Sequence, residues 1–274
     1  MNRSPHLLLA ALALWAGGAS AAPPKAALEP HRAIYEITLA RTRPGGVVAA
    51  HGRTVIEFRD ACIGWSTTQR FVADMTNAQG DPTRTDFIAT TWESKDERAM
   101  RFTLKNSIDG KTSQHFAGTA TLAGSGRGTV EMSVPRGKNF PLPVGVLLPT
   151  QHTLEVMHAA LAGQTSIHEL VFQGGDKTNL YEATAIIGRP ATSAEMDEDR
   201  DADKDGMLKG KSARSILISY FPYGSNGVAP DYEVAYRLYS DGVVSSMSLI
   251  YSNFTLRASL TRLDKLAPDC PAGK

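Results

Sequence analysis

Most of the chain alternates between apolar and polar residues with a period of two, which is typical of β-strands with one buried face. In AIYEITLA, residues 33–40, the apolar side chains of Tyr35, Ile37 and Leu39 fall on one side. The stretches TVIEFR, GWSTTQRFVAD, TDFIATTWES, AMRFTLKNS and GTVEMSV continue the pattern. This succession of short alternating runs predicts an all-β fold.

Turn-forming residues separate the predicted strands and indicate hairpin connections. They are Asp109-Gly110, Gly124-Ser125-Gly126, Gly174-Gly175, Asn226-Gly227 and Asp241-Gly242. The clearest hairpin is YEVAYRLYSDGVVSSMSLIY, in which Asp241-Gly242 forms the turn.

One segment has the spacing of a helix. In LLPTQHTLEVMHAALAGQ, the residues Leu154, Met157, Ala160 and Leu161 keep three- and four-residue spacing and form an apolar face. We expect Thr150 to cap the first turn and Gly163 to end the helix in the left-handed conformation. The sequence therefore predicts one helix of about three turns that packs on a sheet or plugs the end of a barrel.

The stretch NFPLPVGVLLPT, which precedes and opens this helix, is apolar but interrupted by Pro141 and Pro143. Because prolines cannot donate ladder hydrogen bonds, the stretch should be a sheet crossing or an edge. It either feeds the helix into the core or lines the mouth of an apolar groove that could hold a lipid or an extended peptide.

The first 21 residues have the layout of a cleaved secretory signal peptide. Arg3 gives a basic start, residues 7–15 are apolar, and Ala19-Ser20-Ala21 is a small-residue cleavage site. Residues 22–30 then form a Pro/Ala-rich leader that we expect to be flexible, followed by a single domain over residues 31–274. The predicted mature protein is exported and soluble, because no later segment is apolar enough to span a membrane.

Removal of Arg3 with the signal peptide leaves 28 basic and 28 acidic residues. This balance argues against a nucleic-acid-binding protein, which usually carries a basic face and a positive net charge.

Cys62 and Cys270 are the two cysteines, 208 positions apart. In an oxidising compartment two lone thiols most often form a disulfide, although two separate buried thiols remain the alternative. A disulfide would close most of the mature chain into one ring and so favours one domain over two. The spacing is unlike that of a redox pair, and a metal site would need more ligands nearby.

The stretch DRDADKDG raises the question of a calcium loop. Asp201, Asp203 and Asp205 occupy the first three acidic positions of an EF-hand, and Gly206 occupies its glycine position. Ser212 replaces the glutamate needed at the twelfth position, and neither flank has a helical stripe. We therefore predict a solvated acidic loop near residues 195–211 and no metal site, with weak calcium binding by the three aspartates as the alternative.

Other chemistry is not indicated, and we predict no cofactor. His152 and His158 are six residues apart, so they do not share a helix face, and His168-Glu169 lies in a strand-like run where neighbours face opposite sides. No Gly-x-Ser-x-Gly elbow occurs. The GSGRG stretch at residues 124–128 precedes a strand-like run, whereas a phosphate loop would precede a helix.

Five motifs in their order resemble the envelope integrity protein B (EipB) family of alphaproteobacterial periplasmic proteins. They are PHRAIYEITL, ACIGW, LPTQHT, PDYEVAYRLYSDGV and LDKLAPDC, and they extend from Pro30 to Cys270. The resemblance implies an antiparallel β-spiral, which is an incompletely closed barrel, with a disulfide between Cys62 and Cys270. It also implies a periplasmic role in envelope integrity and no known enzymatic activity.

Three functions follow as hypotheses. The first is a non-catalytic protein that supports the envelope by binding another periplasmic protein through sheet edges or concave faces. The second is a carrier of a lipid or another amphiphile in an open-barrel groove, by analogy of fold. The third is a hydrolase, which would require a His, a carboxylate and a nucleophile within hydrogen-bond reach.

Overall fold

The computed structural model describes residues 26–123, 127–227 and 229–270, which form fifteen strands and two α-helices. The first seven strands are β1 (His31–Thr42), β2 (Val47–Asp60), β3 (Gly64–Asn77), β4 (Pro82–Ser94), β5 (Ala99–Ile108), β6 (Lys111–Leu122) and β7 (Gly128–Val134). Next come β8 (Phe140–Leu142), β9 (Val146–Leu147), α1 (Pro149–Leu161), β10 (Ser166–Phe172), a 3-10 turn (Lys177–Asn179), β11 (Leu180–Pro190) and α2 (Ser193–Arg200). The last strands are β12 (Ala213–Pro222), β13 (Tyr232–Tyr239), β14 (Val244–Ile250) and β15 (Phe254–Lys265). The all-β prediction is confirmed.

The strands form one sheet in the order β8-β7-β6-β5-β4-β3-β2-β1-β15-β14-β13-β12-β11-β10-β9. The sheet curls into a nearly closed barrel whose seam lies between β8 and β9, its two edge strands. Asp109-Gly110 joins β5 to β6 with both φ angles positive, as a tight hairpin requires. The predicted turn at residues 124–126 lies outside the described residues. The edge predicted for the proline-interrupted stretch is confirmed, because β8 and β9 are both drawn from it.

Helix α1 connects β9 to β10 and lies on the concave face of the sheet. All strand pairs are antiparallel except β9 with β10, and a parallel pair needs a crossover, which α1 provides. Residues opposite each other on neighbouring strands share a face. The strand registers place Glu93 on β4 and Ala185 on β11 on the same face of the sheet. Helix α1 packs against both residues, so it lies on that face, inside the barrel.

The β10 edge of the sheet is tucked inside the opposite edge, which makes the barrel a spiral. Val171 packs in a cluster with α1 and the concave side of β11–β13, which we call the helix cluster. Its neighbour Phe172 faces the other way and packs with Phe102 of β5 at a ring-centroid distance of 5.7 Å, in what we call the seam cluster. Side chains of the seam cluster therefore close the gap that β8 and β9 leave without ladder hydrogen bonds.

The predicted helix exists, but its N-terminal cap is different from the prediction. The N-cap residue is Leu148, and Thr150 lies inside the first turn, where its hydroxyl donates to the Glu93 carboxylate and caps no helical N–H. Gly163 follows the helix with φ of 74°, as predicted. The cap was missed because its acceptor comes from a strand that is distant in sequence.

The acidic stretch is folded, contrary to the prediction of a solvated loop. Residues 193–200 form α2, whose N-terminus carries a reciprocal capping box between Thr192 and Glu195. Met207 and Leu208 are buried in a third cluster with Ala33, Tyr35 and Leu263, the insert cluster. Burial of these two apolar side chains stabilises the contact of the segment with the barrel. We call residues 193–211 the acidic insert.

The end of the leader is also ordered by packing, although we expected it to be flexible. Ala26 and Leu28 pack against the helix cluster, and the Glu29 amide donates to the Asp241 carbonyl over 2.9 Å. The predicted signal peptide, residues 1–21, lies outside the described residues. Neither α-helix in the described ranges is long and apolar enough to cross a membrane.

Candidate functional site

Three chain segments meet at one corner of the barrel, where the predicted disulfide is formed. Cys62 in the β2–β3 turn is bonded to Cys270, with a Cα–Cα distance of 5.3 Å. The Asp60 carboxylate accepts from the Cys62 amide at 3.0 Å, and the Asp60 carbonyl accepts from the Asp269 amide at 3.0 Å. The β4–β5 turn joins them, because the Lys95 amide donates to the Ile63 carbonyl at 3.0 Å. The corner is therefore held by one covalent and several polar contacts.

The corner presents an apolar and aromatic surface. Ile63 is 76% exposed, the largest exposed fraction among the large hydrophobic residues described. Beside it the half-buried Trp65 ring stacks on Phe58 at 5.2 Å, and the Lys95 ammonium lies 4.5 Å from the centre of the Trp65 ring. Lys95 is also paired with Asp60 at 2.7 Å. Tryptophan is among the residues that most often dominate the binding energy of protein interfaces.

The first turn of α1 completes this surface on the inner side. A cavity of about 20 Å³ separates Trp65 from the helix residues Thr150, Gln151 and Leu154. Leu154 is half-buried, so its apolar side chain is available beside Trp65. We call the surface formed by Phe58, Ile63, Trp65, Lys95 and Leu154 the disulfide corner.

Glu93 lies at the floor of this cavity and binds the start of α1. Its two carboxylate oxygens accept from the backbone N–H of Thr150 at 2.9 Å and from the Thr150 hydroxyl at 2.8 Å. Glu93 thus satisfies one of the free N–H groups that every helix start has. Burial raises the pKa of Glu93 to about 7, although the hydrogen bonds from Thr150 work in the opposite direction.

A pH prediction follows from this raised pKa. Between its ordinary value of 4.5 and about 7, folded Glu93 holds a proton that the unfolded chain has lost, so stability falls as the pH rises through this window. We expect Glu93→Gln to remove this dependence, which amounts to about 3 kcal/mol at most by pH 8. The measurement is the free energy of unfolding from urea titrations between pH 5 and pH 8.

The control for this experiment is a second group with the opposite sign. Burial lowers the pKa of His152 from 6.5 to about 4, so its contribution to stability is lost as the pH falls from about 6.5 to about 4. The two contributions oppose each other between about pH 4.5 and 6.5, so the Glu93→Gln variant should lose stability more steeply than the unaltered protein as the pH falls below 6.5. A variant with the same slope above pH 6 as the unaltered protein would contradict the assignment to Glu93.

The remaining histidines do not form a hydrolytic site among the described residues. The one hydrogen bond between a histidine ring and a hydroxyl joins His168 to Thr184 at 2.9 Å, on exposed neighbouring strands. No carboxylate in the described ranges is hydrogen-bonded to either side chain. His158 is exposed on α1, whereas His152 is buried beneath it.

The three aspartates considered for calcium binding, Asp201, Asp203 and Asp205, have structural roles. Both oxygens of Asp203 accept backbone amides, from Met207 at 2.9 Å and Leu208 at 2.8 Å. Asp205 accepts the Lys265 amide at 2.9 Å, while Asp201 ends α2. Within the part of the chain that the structure describes, no three His, Cys, Asp or Glu side chains are grouped so that they could hold a metal ion.

The two best cavities found among the described residues are too small for an acyl chain. The larger of the two best cavities has a volume of about 40 Å³, between the C-terminal half of α1 and the ends of β12 and β13. This volume suits a few water molecules. A carrier function would therefore require the protein to open.

Three comparisons place the chain among known proteins. A family model described as EipB-like matches residues 22–267. The cell envelope integrity protein EipB of Brucella abortus (strain 2308) is 30% identical over 257 residues, covering 92% of this chain and 90% of the relative. A crystal structure of a β-barrel-like protein from Brucella abortus, with domain of unknown function DUF1849, aligns with a TM-score of 0.80 and 29% identity. That alignment covers 88% of this chain and 100% of the other.

Proposed function

The chain belongs to the EipB-like family, and we propose that it is a non-catalytic periplasmic protein that supports cell envelope integrity by binding another envelope protein at the disulfide corner. Family membership supports the envelope role, since the Brucella abortus relative carries that role in its name. The disulfide fits an oxidising compartment such as the periplasm.

The main observation that supports this binding surface is the exposure of Ile63 beside the Trp65–Lys95 pair. The sheet edges are poorer candidates, because β9 has two residues and β8 contains Pro141, which cannot donate a ladder hydrogen bond. The corner is also rigid, because the disulfide and the Asp60 contacts fix it, so little conformational entropy would be lost on binding.

The test uses two tryptophans with matched surroundings on opposite faces of the sheet. Trp65 lies on the concave face under Lys95, whereas Trp92 lies on the convex face with the Arg101 guanidinium 4.9 Å from its ring centre. We expect this chain to restore detergent resistance to a Brucella abortus strain that lacks its own EipB. Trp65→Ala should lose at least tenfold in survival, and Trp92→Ala should act like the unaltered chain.

A photo-crosslinking amino acid then identifies what touches the corner. Placed at Ile63 it should form an adduct with an envelope protein, whereas at Ile108, an exposed isoleucine at the opposite end of the strands, it should not. The adduct should disappear in the Trp65→Ala background. Equal adducts at both positions, or full resistance with Trp65→Ala at normal protein levels, would reject the disulfide corner.

A further inference from the structure

We propose that α1 is a gate: the segment 149–164 unfolds locally, independently of the sheet, and Glu93 holds it closed. Opening would uncover the apolar wall of β10–β13 beneath the helix. The proposal concerns a motion of the fold and does not depend on partner binding at the disulfide corner. The two share Leu154, so opening of α1 would remove that side chain from the corner.

The closed state of α1 is held by few contacts. Of its thirteen residues, five are buried: Thr150, His152, Val156, Met157 and Ala159. The Nε2 atom of His152 is buried without a hydrogen-bond partner among the described residues, and so is the Oε1 atom of Gln151. A buried polar atom without a partner costs about 1–3 kcal/mol, and exposure to water would recover this free energy when the helix opens.

The fit of the helix to the wall is also incomplete. The cavity of about 40 Å³ lies between Met157, Ala160 and Leu161 on the helix and Ala213 and Leu238 on the strands. A gap of this kind removes dispersion contacts along its lining. The C-terminal half of α1 is therefore the weaker half.

The ends of the segment allow opening without disturbing the sheet. Leu148, before the helix, is buried in the seam cluster, and Ser166, after it, begins β10, so both ends stay fixed. The connection at residues 162–165 is exposed, and a Cβ atom on Gly163 would meet nothing within 4 Å. Segments with few buried contacts and exposed connections are those that open locally in folded proteins.

Glu93 is the contact that opposes this opening. It reaches α1 from β4, 57 positions away in sequence, and provides the N-terminal hydrogen bonds that Leu148 cannot. The wall that the gate covers is mostly aliphatic, with Val171, Ala183, Ala185, Ile187, Ile216 and Ile218, and it also contains Tyr181 and Tyr220.

The test is amide hydrogen exchange on the whole protein at pH 5, where folded Glu93 keeps its proton and its ionisation does not affect the comparison. Glu93→Leu fills the buried site with an apolar side chain of similar size and removes both hydrogen bonds. We expect it to raise exchange of the amides of residues 153–161 about tenfold, the factor produced by a loss of about 1.4 kcal/mol. Amides of β1 and β2 should be unchanged, and binding of the apolar dye anilinonaphthalene sulfonate should rise.

Two further variants make the outcome decisive. Glu93→Gln keeps an acceptor for the Thr150 amide and should exchange like the unaltered protein, whereas Thr150→Val removes the hydroxyl bond alone and should give a smaller increase than Glu93→Leu. If Glu93→Leu fails to fold, the exchange measured for Thr150→Val decides between the two outcomes. Exchange that rises equally in β1 and α1, or in neither, would overturn the gate.

Discussion

Loss of the disulfide should lower the free energy of unfolding by about 2–5 kcal/mol. The variant is Cys62→Ser with Cys270→Ser, so that no single thiol remains to form intermolecular bonds. The bridge joins residues 208 positions apart and thus restricts nearly the whole unfolded chain. The change should appear as a fall in melting temperature of several degrees or more for a domain of this size.

The reducing agent provides the control. Dithiothreitol should lower the melting temperature of the unaltered protein toward that of the double variant and should leave the variant unchanged. The denatured, unreduced protein should contain no free thiol. Unchanged melting together with two free thiols in the native protein would show that the bridge does not form.

The double variant should also weaken envelope protection. Without the bridge, the turn that carries Ile63 is held by the Asp60 and Lys95 contacts alone, and exposed ion pairs such as Asp60–Lys95 are worth little. Proteolysis should then increase in the C-terminal residues after β15. A correctly folded double variant with full detergent resistance would show that the disulfide corner functions without the disulfide.

The strands and edges were readable from the sequence because their causes are local. Alternation placed Tyr35 and Ile37 in the core, where both are buried, and the prolines near residue 141 marked the edge. The tucking of β10 inside the opposite edge of the sheet also has a local signal in the sequence, although this signal is not an alternating pattern. Leu170, Val171 and Phe172 are apolar in succession, which is typical of a strand buried on both faces.

The contacts that build the candidate site were not readable, because they join distant positions. Nothing near Glu93 indicates that it binds a helix 57 residues later, and an isolated carboxylate in a strand is usually exposed. Similarly, the stacking of Trp65 on Phe58 and the placement of Lys95 depend on the register of three strands. Propensity and periodicity contain no such long-range information.

The acidic insert shows a different limit. Its helix start was encoded by Thr192 and Glu195 at capping-box spacing, but eight residues are too few for a visible apolar stripe. Its run of carboxylates favoured a solvated loop, and the burial of Met207 and Leu208 outweighed that preference. Tertiary packing therefore decided the conformation of a segment whose composition indicated the opposite.

Removal of Asp199 should destabilise the protein by about 3–5 kcal/mol, because it would leave a buried charge without its partner. Asp199 is 6% exposed, and its Oδ2 atom accepts from the Arg237 guanidinium at 2.6 Å and from the Tyr239 hydroxyl at 2.7 Å. Arg237 also donates to the Glu195 carbonyl, so it ties α2 to β13 at two points. Burial and the neighbouring Asp199 raise the pKa of Tyr239 above its ordinary value.

The comparison that tests this role is Asp199→Ala against Asp197→Ala in the same short helix. Asp197 is exposed and pairs with Arg200 at the surface, so its removal should cost less than about 1 kcal/mol. Asp199→Asn keeps an acceptor for Tyr239 and should fall between the two. Urea denaturation gives the free energies, and limited proteolysis should cut Asp199→Ala within residues 193–211, because the acidic insert has lost its attachment to β13. If Asp199→Ala unfolds at the same urea concentration as Asp197→Ala, the buried ion pair does not hold the acidic insert in place, and burial of Met207 and Leu208 is sufficient to do so.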